Sequence, residues 1–148
     1  MNRILTNSIL LLLTATSLNL KAQSTSNPTL FDGYANLINC PNSELEKAFT
    51  SLQGNSILLS LSNNTTFSGQ ISSSIQRYGN LKSVVIKFDN LQGAIFAISK
   101  RINDDNSIAY VGRIINERFA DGYELKRDAN GGYFLNKIKT NDLLQEHQ

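Results

Sequence analysis

The chain has 148 residues, with 14 Lys and Arg against 12 Asp and Glu, one cysteine, one histidine and no tryptophan. One cysteine excludes an internal disulfide, and one cysteine with one histidine is too few for a zinc site. The signs nearly balance, and residues 100–148 hold eight of each, which excludes nucleic acid as a partner because that requires clustered cations.

The first 22 residues have the three parts of a cleavable export signal: Arg3 near the start, the apolar stretch Ile9–Leu13, and Ala22 as the small residue at the cleavage point. The stretch is interrupted by Thr14, Thr16, Ser17 and Asn19. It is therefore too short for a helix across roughly 30 Å of hydrocarbon. Cleavage after Ala22 exposes Gln23 and removes Arg3 and Lys21, so 14 basic residues become 12 against 12 acidic. The mature chain then has no net charge and no membrane span, and its expected location is secreted or periplasmic. Residues 23–30 are polar, contain Pro28 and lack periodicity, which predicts a flexible leader. Residues 31–148 form one globular domain, long enough to bury a core without cross-links. Cys40 reads as a small apolar core residue, with an intermolecular disulfide or a reactive thiol as the less favoured roles.

Asp32-Gly33 marks a turn, and Ser43-Glu44-Leu45-Glu46 has the spacing of a capping box. Leu45, Ala48, Phe49 and Leu52 follow at helical spacing, with Gly54 placed to end the element in a left-handed conformation. The spacing predicts a helix over 44–53 that buries this stripe. From Asn55 the period changes to two. Strands are expected at 56–61, 67–76, 81–88, 94–98, 108–115, 123–126 and 133–138. Turns fall at Asn63-Asn64, Tyr78-Gly79-Asn80, Asn103–Asn106, Ala120-Asp121-Gly122 and Asp128–Gly132. The strands at 94–98 and 108–115 are apolar on both faces and so call for cover on both. The fold expected is α+β and mainly antiparallel: a curved meander or partial barrel of six to seven strands with one amphipathic helix packed on it.

No catalytic residue, metal ligand or cofactor is expected. His147 lies one residue from the end, where it cannot be held rigidly between a nucleophile and a carboxylate. Glu44 and Glu46 read as capping charges, and Glu117, Asp121 and Glu124 as solvated ones. The acidic turns match no calcium loop. Ser68, Gln70, Ser72, Ser74 and Gln76 alternate with Phe67, Gly69, Ile71 and Ile75 and read as one polar strand face. That face is the candidate binding surface, for a glycan or for strand addition by a partner protein. Tyr78, Tyr110, Tyr123 and Tyr133 are the phenols available for sugar stacking. The reading these features favour is an exported, non-catalytic binding domain. A β-barrel-like carrier of a small apolar ligand comes second, and a carboxylate-dependent hydrolase third.

Overall fold

Alternating side chains from Ser56 onward fold as a series of antiparallel hairpins. The computed structural model describes residues 27–62 and 64–140. The export segment at 1–22, leader residues 23–26 and the tail carrying His147 lie outside the described residues. The elements are β1 (Leu37–Cys40), α1 (Asn42–Thr50), β2 (Ser56–Ser60), β3 (Thr66–Tyr78), β4 (Leu81–Phe88), β5 (Ile95–Ile102), β6 (Ile108–Ile115), β7 (Asp121–Arg127) and β8 (Tyr133–Lys139). They form one eight-stranded antiparallel sheet in the order β1-β8-β7-β6-β5-β4-β3-β2, curled into a half-barrel. The strand beyond the expected six to seven is β1. Its four residues are too few for alternation to register, and it exists as a strand because β8 pairs with it.

The interior of the curl is filled. Ile38, Leu59, Phe67, Ile71, Ile86, Phe88, Phe96, Ile98, Ile114, Tyr123 and Leu135 join Leu45, Ala48 and Phe49 of α1 in one buried core. The Phe49 ring lies 5.7 Å from that of Tyr110, which ties the helix to β6. Cys40 is a free, buried thiol in this core, and burial pushes its pKa up to about 12. Gly69 is inward because the chain passes close: a Cβ there would stand 2.2 Å from the Lys87 carbonyl oxygen.

Three local expectations are corrected. First, the helix begins at Asn42, with extended Pro41 at its N-cap and no side-chain cap. Ser43 lies inside the first turn, and Glu46 is drawn to β5 and β6 in place of a capping role. Second, extended Ser51 ends the helix and lifts the chain away, so Leu52 is 72% exposed. Gly54 has its positive φ in the following turn, where its N–H bonds to the Ile71 carbonyl. Third, the end of the leader is anchored: the Asp121 carboxylate accepts the N–H groups of Leu30 (2.6 Å) and Phe31 (2.8 Å). Asp121 is therefore buried and structural, not the solvated charge its turn sequence suggested.

Strand edges expose unpaired backbone groups, and this sheet covers part of its own. Asn39 of β1 exchanges backbone bonds with Ser62, through its N–H to the Ser62 hydroxyl and its carbonyl to the Ser62 N–H. The Ser60 N–H of β2 donates to the Glu44 carboxylate of α1. On β3, however, β2 covers only Thr66–Gln70 of thirteen residues.

Candidate functional site

A register shift between Ile71 and Ser73 places a bulge in β3. It reverses which residues face inward, so the five polar residues do not share one face. Ser68 and Gln70 lie on the outer face, beside β2. Ser72 sits at the bulge, where its hydroxyl donates to the Val85 carbonyl. Beyond it, Ser74 pairs with buried Val84 and Gln76 with Lys82, which puts both on the inner side, while Ile75 turns outward and is exposed.

The bulge also decides which backbone groups meet the open edge. The Asp89 N–H bonds back to Ser68 and the Phe88 N–H to Ala94. Odd residues of β4 therefore point at β3 and even residues at β5. Ser74 and Gln76 oppose the even residues Val84 and Lys82, so their own N–H and C=O groups point away from β4. Ile71, in the same phase, is taken up by Asn55 and Gly54. Ser74 and Gln76 have no backbone partner on that side among the described residues. The edge segment 72–76 carries no charged side chain, Ile75 is half-exposed, and Tyr78 at the hairpin end is 71% exposed.

A polar cluster ties α1 to the sheet. Glu46 accepts from Lys100 Nζ at 2.5 Å and from the Tyr110 hydroxyl at 2.6 Å, and Lys82 Nζ donates to the Phe49 carbonyl at 2.6 Å. Partial burial pushes the Glu46 carboxyl upward, but the bonds from Lys100 and Tyr110 and the charges of Lys100 and Lys82 outweigh it. The net result is a carboxyl below its ordinary range. Tyr110 is pushed well above a free phenol by burial first, then by its bond to Glu46. Every charged member of the cluster has a partner, so the group locks the helix and offers no free acid or base. Asp121 is likewise engaged by two N–H donors, one on each oxygen.

The outer face carries a third feature. β6 and β7 pair only at Arg113–Glu124 and Ile114–Tyr123, then separate. Over the split lies an open concavity of about 870 Å³ with Val85, Ala97 and Val111 on its floor. Arg113 and Lys126 both bind Glu124, at 2.9 and 2.5 Å. No pattern of single residues announced this cleft; only the failure of β6 to keep pairing creates it. Of the four tyrosines considered for stacking, Tyr110, Tyr123 and Tyr133 are buried, and Tyr78 is exposed. No family model matches this chain, and neither a curated protein nor a solved structure matches it. Among the described residues no helix is long and apolar enough to cross a membrane.

Proposed function

We propose that the chain is an exported, non-catalytic interaction module that captures an extended polypeptide segment along the open edge of β3. The observation that carries this reading is the outward direction of the Ser74 and Gln76 backbone groups on an edge that β2 leaves uncovered. An added strand satisfies those groups through main-chain hydrogen bonds, which supply affinity independent of most side chains. The uncharged stretch 72–76 supports the reading, since charged edge residues are a common defence against pairing. The bulge limits the open edge of β3 to a short segment. Ser72, Ser74 and Gln76 flank this edge, and Ser68 and Gln70 lie outside it. Export rests on the pattern of residues 1–22.

The other readings have less support. A lumen carrier requires space inside the curl, which Phe67, Phe88, Phe96 and Tyr123 fill. A carboxylate hydrolase requires two available carboxyl groups, and Glu46 and Asp121 are engaged structurally. A glycan platform loses its flat polar face at the bulge.

The test is selection of random peptides displayed on phage against wild-type protein, followed by binding to Ser74→Pro. Proline removes the outward N–H while leaving β4 its own bonds, and proline is tolerated on strand edges. Selected peptides should bind the variant about tenfold more weakly, the effect of losing roughly 1.4 kcal/mol of main-chain bonding. Equal binding to wild type and Ser74→Pro, or no enriched peptide, overturns the reading.

A further inference from the structure

We infer that the split between β6 and β7 forms a second site, a cleft for a small anionic molecule with an apolar body. The inference is independent of the β3 edge and rests on how the split is built, what lines it and its charge.

The split is a constructed feature. β6 and β7 are eight and seven residues long yet share only two residue pairs. Where β7 would supply a carbonyl to β6, the Tyr133 hydroxyl of β8 accepts the Tyr110 N–H at 3.0 Å. The two rings meet edge to face at 5.3 Å. A buried phenol thus seals the base of the opening and satisfies the Tyr110 N–H that the missing strand pair leaves.

The lining suits an apolar body. Val85, Ala97 and Val111 are outward residues of three successive strands, and Val111 is 64% exposed. The volume of about 870 Å³ falls in the range of roughly 300–1,000 Å³ occupied by small-molecule sites.

The charge chooses the ligand. Arg77, Arg113, Lys126 and Arg127 line the cleft against the single carboxylate Glu124. Glu124 is already shared by Arg113 and Lys126. Arg77 and Arg127 have no ion-pair partner among the described residues. Asp105, outside the lining, feels the charge of Arg127 but makes no ion pair with it. Arg127 lies 5.9 Å over the Tyr133 ring, which holds it beside the sealed base. An excess of cations around an apolar floor fits a molecule with an oxyanion head, either carboxylate, sulfonate or phosphate. Guanidinium groups bind such heads by paired hydrogen bonds.

The probe is 8-anilinonaphthalene-1-sulfonate, titrated by fluorescence into the folded protein. Saturable one-to-one binding is expected, displaced by dodecanoate and by dodecyl phosphate but not by dodecyltrimethylammonium. Arg77→Ser combined with Arg127→Ser, and separately Val111→Asp, should each weaken binding by about tenfold or more. Both change exposed side chains, so their urea midpoints should match wild type and separate lost binding from lost folding. Ser74→Pro should bind the probe normally, which separates this site from the β3 edge. Equal displacement by the cationic amphiphile, unchanged affinity in the arginine variant, or the absence of saturable binding overturns the inference. So does sedimentation with phosphatidylglycerol vesicles without binding of the soluble probes, which assigns the basic face to a membrane surface.

Discussion

β5 and β6 each carry two apolar faces, and the two faces have opposite fates. Phe96, Ile98, Tyr110 and Ile114 point into the curl and are buried against α1 and the facing strands. Ile95, Ala97 and Val111 are their immediate neighbours in sequence and are exposed on the outside. Apolar residues on both sides of a strand led to the expectation of cover on both sides. Among the described residues there is one helix to give, and the inner face takes it. Burial follows the available covering elements as well as side-chain character. A contiguous apolar face left over after the core is complete is a candidate surface for binding.

The sharpest way to break this comparison is to truncate one residue from each face. Phe96→Ala, on the inner face, should cost about 3–5 kcal/mol, the range for deleting a buried ring. Phe49→Ala should cost a similar amount, since the Phe49 ring is buried and packs against that of Tyr110. Val111→Ala, on the outer face, should stay within about 0.5 kcal/mol of wild type. Urea unfolding of the three variants decides the matter, and equal losses on the two faces would mean that the outer face is packed.

Asp121→Ala tests whether the inward polar groups behave as core. It leaves the Leu30 and Phe31 N–H groups without their acceptor and should cost about 2–3 kcal/mol. Amide exchange should quicken at those two residues in particular. Unchanged protection there would show that the leader is held by Phe31 packing alone.

Glu46→Gln should cost less, roughly 1–2 kcal/mol, because the site is partly solvated. It should also alter the pH profile. The Glu46 carboxyl is held below its ordinary range in the folded chain. Its stabilisation is therefore fully present above the unfolded-state pKa and is lost as pH falls through the lower folded value. Thermal melts from neutral to acid pH should fall less steeply for the variant. Parallel curves would remove Glu46 from the acid response.

The smallest effect is expected at Ser43→Ala, within about 0.5 kcal/mol. Ser43 is exposed inside the helix and makes no capping bond. A loss of about 1 kcal/mol or more in thermal unfolding, the usual cost of removing a cap, would restore the capping box.

Much of the fold was legible because period-two alternation is local. β4 and β6 occupy the spans expected for them, residue for residue, and the turn at Asn103–Asn106 closes as its composition implied, with Asn106 at positive φ. The amphipathic helix was legible for a related reason, since Leu45, Ala48 and Phe49 lie close enough in sequence to define a stripe. The candidate sites were not legible in this way. Ser74 and Gln76 were read correctly as polar strand residues, but a single extra residue at the bulge moved them to the opposite face. The cleft depends on Arg77, Val85, Val111 and Arg127, which come from four strands and share no sequence spacing.

Local chemistry alone decided which segments from Ser56 onward are strands, where the hairpins turn and that a short helix precedes the meander. Each of these follows from backbone preference and from the side a residue faces within its own element. Tertiary structure decided that β1 pairs with β8, that Glu46 serves Lys100 and Tyr110, that Asp121 anchors the leader, and that β6 and β7 part. These outcomes compare the free energies of groups far apart in the chain, and only a completed sheet brings those groups within hydrogen-bonding distance.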